Sequence, residues 1–281
     1  MLDLAHVTDL HLVERDHRNR TGSDWQRLQY LSAGRTIDFA ARRQQAVHAL
    51  RKASRHAGHV IVTGDLTEDG MPAQFELLAE VLAEAQVDPK RITIVPGNHD
   101  RYADADAFER AMSGPLRDYA STSRPSTLFP LGRDAWLMPV STAVAQSCFR
   151  SAGRMSDQDV DRIDQLARAA KRSRKLALVV QHHPPHGYGG PAWNWIDGLV
   201  NAAVGRVLLE THERLQFLHG HTHKQTSAVF ADGRPAQAHS CGAVVASSAN
   251  VRFYRATNEA LVAVEPAELP VIEPSTAVAL A

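Results

Sequence analysis

Five short clusters carry residues able to bind metals or move protons, and all lie between residues 9 and 223. In the first, Asp9 and His11 flank Leu10. Alternate residues leaving a strand point to the same side, so this carboxylate and imidazole can reach one ion. Taken alone, an Asp capping a turn beside an incidental His explains it as well. In the second, Gly64 permits a close turn and Asp65 offers two oxygens that can bridge a metal pair; alone, this too reads as an ordinary Gly-Asp turn. The third is Gly97-Asn98-His99-Asp100. The Asn98 amide oxygen is a neutral ligand, His99 can face a substrate, and Asp100 is expected to fix the tautomer and orientation of the His99 ring. The fourth, Gln181-His182-His183-Pro184-Pro185, ends a buried run abruptly. Only one of its adjacent imidazoles should face the metals, and His182 is the expected one; His183 and His186 either line the pocket or decorate a polar loop. The fifth, Gly220-His221-Thr222-His223, is the most specific local signal, since imidazoles at i and i+2 can bind different ions of a pair. His219 reads as a satisfied strand-end residue.

These residues need a scaffold that brings them together. Apolar strand-like runs alternate with helix-like segments, which argues for an α/β layered domain. Strands are expected at 2–8, 59–63, 92–95, 137–140, 176–181 and 215–219, with further short ones at 229–230, 243–245 and 261–264. Helices are expected at 37–56, 72–85, 103–111, 156–171 and 199–209. Asp9, Asp65, Asn98 and His182 each follow the end of an apolar run, where an open α/β sheet places its ligand crevice.

Composition narrows the function classes. With 281 residues, 44% of them hydrophobic, the chain can bury one large core, so we expect one domain over 1–265. Segments 17–35 and 183–195 read as cap or pocket insertions, and 266–281, with Pro266, Pro270 and Pro274, as a loosely held tail. The 31 basic and 31 acidic residues balance and form no dense basic stripe, which argues against a nucleic-acid polymer as partner. Arg42, Arg43, Arg51, Lys52 and Arg55 recur with helical spacing and read as a solvated helix face. Cys148 and Cys241 form neither a disulfide framework nor a zinc knuckle, and the sequence shows neither a secretory leader nor a membrane-spanning run; a reducing cytoplasmic location fits. Peripheral membrane contact and oligomeric state stay open. Of the fifteen histidines, His17, His48, His56, His59 and His212 sit among polar neighbours and are expected at the surface.

Together, the five motifs resemble the calcineurin-like metallophosphoesterase family, whose pattern is D-x-H, G-D, G-N-H-D/E, H and G-H-x-H in this order. All five are present, and they span Asp9 to His223. The resemblance implies a four-layer αββα sandwich of two mixed sheets flanked by helices, with two metals at the ends of the central strands. It assigns Asp9, His11, Asp65 and His223 to one ion and Asp65, Asn98, His182 and His221 to the other, so that Asp65 bridges. A hydroxide bridging two cations is available near neutral pH, and the cations also neutralise phosphoryl charge; His99 is then the proton donor to the leaving group. Ligation by carboxylate, imidazole and amide without thiolate suits Mn, Fe or Zn, and the resemblance implies Mn or Fe first, with Zn next.

The nature of the ester rests on two segments. In 183–195, Tyr188, Trp193 and Trp195 can stack on a base, pack against acyl chains or anchor the loop. In 17–35, arginines interrupt Trp25, Leu28, Tyr30 and Leu31, giving a cap over the metals whose arginines grip further phosphates or stay in solvent. With Asp197-Gly198-Leu199, these segments are similar to bacterial phosphodiesterases of the family. We expect a phosphodiesterase acting on a small nucleotide-like substrate of cyclic-nucleotide type. A UDP-2,3-diacylglucosamine-type pyrophosphohydrolase comes next and a phosphomonoesterase third. A non-enzymatic scaffold on the same fold is the alternative from another class; it would be marked by a damaged ligand set, and this set is intact.

Overall fold

Period-two alternation along each strand decides which layer a side chain joins. The structure is a computed structural model and describes residues 1–272. In chain order the elements are β1 (Leu2–Val7), α1 (Gly22–Leu31), α2 (Phe39–His56), β2 (His59–Thr63), α3 (Pro72–Glu84), β3 (Ile92–Val95), α4 (Ala107–Ser113), β4 (Phe129–Leu131), β5 (Ala135–Pro139), α5 (Asp157–Ser173), β6 (Leu176–Val180), α6 (Pro191–Ile196), α7 (Ala202–Thr211), β7 (Leu215–His219), β8 (Thr226–Ala228), β9 (Ala238–Ser240), β10 (Arg252–Ala256) and β11 (Leu261–Val264). One sheet has the order β11-β10-β1-β2-β3, the other β4-β5-β6-β7-β9-β8. Parallel pairing joins β1, β2 and β3, and likewise β5, β6, β7 and β9; the outer strands pair antiparallel.

Both sheets are covered on both faces, which is why their central strands are unbroken apolar runs such as Leu176–Val180. Leu176, Leu178 and Val180 face the other sheet, where they meet Leu4, Ile61 and Val95. Ala177 and Val179 face the opposite way and pack with Ile163 of α5 and Leu209 of α7. In the first sheet Ala5, Val7, Val60 and Val62 turn to Leu50 of α2 and Leu78 of α3. The result is a four-layer αββα sandwich, as expected. Truncating a residue such as Ile61 to Ala would cost about 2–5 kcal/mol.

Several expectations differ from the structure, each for a physical reason. The apolar pair at 229–230 is not a strand: Phe230 packs against the second sheet's core from a loop, while the strands there are the polar β8 and β9. Residues 243–245 are a loop whose Val244 and Val245 amides donate to the carbonyls of Thr8 and Asp9. Segment 17–35 contains α1, started by a capping box between Thr21 and Asp24. His59 is buried in β2 and bonds the Thr93 hydroxyl at 2.9 Å. The tail is held more firmly than expected: Leu269 joins the first core cluster and the Ile272 amide donates to the Arg55 carbonyl. Its remainder, 273–281 with Pro274, lies outside the described residues.

Candidate metal centre

The parallel strands β1, β2, β3, β6 and β7 end on one edge, and the loops that leave them carry all the sequence-predicted ligands. Pairing of β1 with β2 continues past both strands: the Asp9 amide donates to the Gly64 carbonyl at 3.1 Å and the His11 amide to the Asp65 carbonyl at 3.0 Å. Asp9, His11, Asp65, His221 and His223 all have left-handed backbone, with φ of 55, 47, 49, 69 and 55°. Such conformations cost side-chain-bearing residues on the order of 1–3 kcal/mol each, and they cluster where surrounding structure imposes a functional geometry. Close approach of the loops needs Gly97, where an added Cβ would stand 2.1 Å from Asp65 Oδ1.

The side chains form two donor sets that meet at Asp65. Donor atoms of Asp9, His11, Asp65 and His223 lie within 4.8 Å of one another. His11 Nε2 is 3.3 Å from His223 Nε2 and 3.8 Å from Asp65 Oδ2. On the other side, His182 Nε2 lies 3.4 Å from Asp65 Oδ2, 3.1 Å from Asn98 Oδ1 and 3.2 Å from His221 Nδ1. Asp65 Oδ1 is tied down by the His99 amide at 3.0 Å, which leaves Oδ2 for the shared position.

This arrangement fits cations. Both Asp9 carboxylate oxygens are buried without a hydrogen-bond donor, a costly state for a carboxylate that a bound cation relieves. Burial disfavours a charged His182 ring, yet the Asp65 carboxylate beside it outweighs burial and lifts its pKa to about 9. Burial, reinforced by Arg35, pushes His11 well below the usual imidazole range and so favours the neutral form that ligates.

Outer contacts aim each ligand. His182 Nδ1 donates to the Thr63 carbonyl at 2.7 Å and His221 Nε2 donates to the Asp197 carbonyl, so the opposite nitrogens face the metals. Asp197 is held by the hydroxyls of Tyr188 and Ser151. His11 Nδ1 lies 3.3 Å from Glu68 Oε2, an ion-pair distance without hydrogen-bond alignment. Glu68 is fully buried and receives Ser32 Oγ, Arg35 and Arg42. Arg42 also donates to the His11 carbonyl.

A family model described as calcineurin-like phosphoesterase matches residues 2–225. The chain belongs to this family. It is 26% identical over 204 residues to a probable cyclic nucleotide phosphodiesterase of Rhodopseudomonas palustris, covering 72% of this chain and 70% of that one. It is 25% identical over 227 residues to a 3′,5′-cyclic-nucleotide phosphodiesterase of Nostoc sp., covering 80% and 72%. In fold it matches a dimetal phosphatase from Danio rerio with a TM-score of 0.61 at 15% identity, covering 93% of this chain and 94% of that one. A protein of Thermus thermophilus gives a TM-score of 0.53 at 12% identity, covering 94% and 99%. The protein is thus a phosphoric ester hydrolase, and its family and clustered donors support a binuclear divalent metal centre.

As a calcineurin-like phosphoesterase, the protein opens its centre onto a cleft of about 500 Å³. Asp65, Asn98, His99, His221 and His223 lie at its base, and Tyr30, Phe149 and Trp193 stand in its walls. The expected substrate contacts are placed unevenly. Trp193 lines the cleft, whereas His183 is fully buried behind it, its two ring nitrogens bonded to Thr142 Oγ1 and the Ser151 carbonyl. His186 packs against His219 and Phe230, Tyr188 is spent on Asp197, and the Trp195 ring lies under the Arg150 guanidinium. In the 17–35 segment, Arg20 and Arg27 pair with Asp69 and Arg35 with Glu68, so these arginines serve buried carboxylates rather than a substrate. Asp100 also differs from expectation. It does not touch the His99 ring, because successive residues of the turn at 99–101 diverge; its carboxylate accepts from the amides of Leu66, Thr67 and Gly97 and stitches two ligand loops together. The carbonyl of Glu68 holds His99 Nδ1 instead, at 2.6 Å.

Sequence reasoning passed over Glu68, Arg42, Tyr102 and Asp197 as orienting residues. Arg42 was findable: it shares a helical face with Ala46, Ala49 and Ala53, all buried, so spacing alone puts it against the core. Glu68 sits in a run of polar residues that gives no sign of burial, and it declares itself only in three dimensions.

Proposed function

We propose that the protein is a phosphodiesterase for small nucleotide-like substrates of cyclic-nucleotide type. The observation that carries this reading is the shared position of Asp65 Oδ2 between His182 Nε2 at 3.4 Å and His11 Nε2 at 3.8 Å, at the base of a cleft with aromatic walls. The names of the two cyclic-nucleotide relatives support the same substrate class.

Asp9, His11, Asp65 and His223 would hold one ion and Asp65, Asn98, His182 and His221 the other. When bound, two such ions lower the pKa of the attacking water and neutralise charge on phosphoryl oxygens. The donor set lacks thiolates and suits Mn, Fe or Zn, and the family likeness puts Mn or Fe first. The chain supplies the rest. His99 Nδ1 can only donate to the Glu68 carbonyl, which leaves Nε2, 3.9 Å from Asp65 Oδ2 and facing the cleft, as the nitrogen that would carry a transferable proton. From there it reaches the departing alkoxide. Among the described residues both cysteines are free, and no helix is long and apolar enough to cross a membrane.

The test is a panel of 3′,5′-cyclic nucleotides, bis-p-nitrophenyl phosphate, p-nitrophenyl phosphate and UDP-2,3-diacylglucosamine, each with Mn, Fe and Zn. We expect the highest kcat/KM on a cyclic nucleotide. A clear preference for the monoester or the lipid pyrophosphate would overturn the diesterase reading.

A further inference from the structure

Two large rings are held in water at the mouth of the cleft. Tyr30, from α1, is 49% exposed, and Phe149, from the loop between β5 and α5, is 72% exposed. They meet edge to face, with centroids 4.9 Å apart and ring planes at 67°. Leaving a Phe ring in solvent forgoes about 1.5–3 kcal/mol that burial would return, so neither ring is placed there for the stability of the core.

Both rings stand on anchored backbone. The capping box fixes the start of α1, and Arg27 ties its body to buried Asp69. Phe149 is followed by Arg150, which donates to the Trp195 carbonyl, and by Ser151, whose amide donates to the Ile196 carbonyl at 2.9 Å. Trp193 makes a third wall, seated against Gly189, where φ is +110° and an added Cβ would stand 3.0 Å from the indole.

The same cleft is selective by charge. Among the described residues that line it there is no Lys or Arg, so a second phosphate bound outside the metal positions would find no guanidinium or ammonium partner. The chemistry on offer is one phosphate at the metals and one uncharged, flat group at the mouth.

We propose that Tyr30 and Phe149 form a clamp for the nucleobase of a substrate carrying a single phosphodiester, whose ring inserts against their exposed faces while the phosphate sits at Asp65. This rests on the diesterase reading above. Stacking of a base on an aromatic side chain is worth about 1–3 kcal/mol by alanine substitution, hence roughly a fivefold to hundredfold change per ring.

The experiment compares 3′,5′-cyclic AMP with ribose 3′,5′-cyclic phosphate, which has the same reacting group and no base, on the full chain loaded with Mn. Wild type should prefer the base-bearing compound in kcat/KM. Tyr30→Ala and Phe149→Ala should each lower that preference about tenfold, through KM, and Phe149→Tyr should restore it. As a readout without turnover, the Kd of AMP by calorimetry should rise about tenfold in each alanine variant, with the Kd of ribose 5-phosphate not following. Hydrolysis of both compounds with no preference, or equal losses on both in the variants, overturns the clamp and leaves the diesterase standing. Hydrolysis of neither with Mn, Fe or Zn overturns the diesterase reading and the clamp with it.

Discussion

The Asn98 amide nitrogen donates to the Tyr102 hydroxyl at 2.9 Å, and that bond decides which end of the amide faces the metals. The hydroxyl in turn donates to the Arg150 carbonyl at 3.0 Å, so its lone pair is committed to Asn98 and Oδ1 is left towards His182. An amide turned the other way would present N–H groups to a cation. Removing such an orienting partner typically costs roughly 10- to 100-fold in metal affinity. Tyr102→Phe should therefore weaken one of two metal-binding events by about that factor in a calorimetric titration. Two events of wild-type affinity would remove Tyr102 from this role.

His99 should separate chemistry from metal binding. Its ring is fixed through Nδ1 to a backbone carbonyl and is absent from both donor sets proposed for the metals. His99→Ala is expected to retain two metals per chain by elemental analysis. On a cyclic nucleotide, whose leaving alkoxide needs a proton, its turnover should fall about 10²- to 10⁴-fold. On bis-p-nitrophenyl phosphate the loss should be much smaller, because nitrophenolate departs without protonation. Equal losses on both substrates would point to damaged metal geometry instead of a missing acid.

How far the sequence could be read follows from where each residue's partners lie. The central strands and the five ligand motifs are local features: a buried run ends, and a short polar cluster follows within a few residues, as at Val62 to Asp65. Glu68 and Arg42 depend on partners 26 positions apart, and the Asp197 carbonyl meets His221 24 positions on. No periodicity encodes such distances. Asp100 shows the opposite failure: adjacency to His99 suggested a contact, but the turn sends the two side chains in different directions. β8 and β9 are three residues each and largely polar, too short for alternation to carry an apolar signal, although β9 lies buried between β7 and the edge strand β8.

Glu68→Gln tests whether the charge of this buried carboxylate is what anchors α1's segment to the metal loop. Arg42 is only 3% exposed, and Arg35 shares the same carboxylate. Taking one partner from a buried ion pair strands the other charge and costs about 3–5 kcal/mol, whereas a neutral isostere preserves shape. Urea unfolding in chelator should show a loss of that order. A change within about 0.5 kcal/mol, as for an ordinary surface substitution, would mean that the pairing is incidental.

His59 predicts part of the acid limb of stability, remote from the metals. Its ring is buried in β2 against Thr93 Oγ1, and burial, with Arg91 adding a smaller effect, lowers its pKa from 6.5 to about 4. Between those values the unfolded chain binds a proton that the folded chain refuses. The unfolded state then holds more protons, so stability must fall as the pH drops from about 6.5 towards 4. At about 1.4 kcal/mol per unit, this one group accounts for up to roughly 3 kcal/mol of the loss. His59→Gln has nothing to titrate there. Its unfolding free energy, measured in chelator at about pH 7 and about pH 4.5, should therefore decline less than that of wild type by about 2–3 kcal/mol. Parallel declines would show that His59 takes up its proton in the folded chain as readily as in the unfolded one, and that burial in β2 does not hold it neutral.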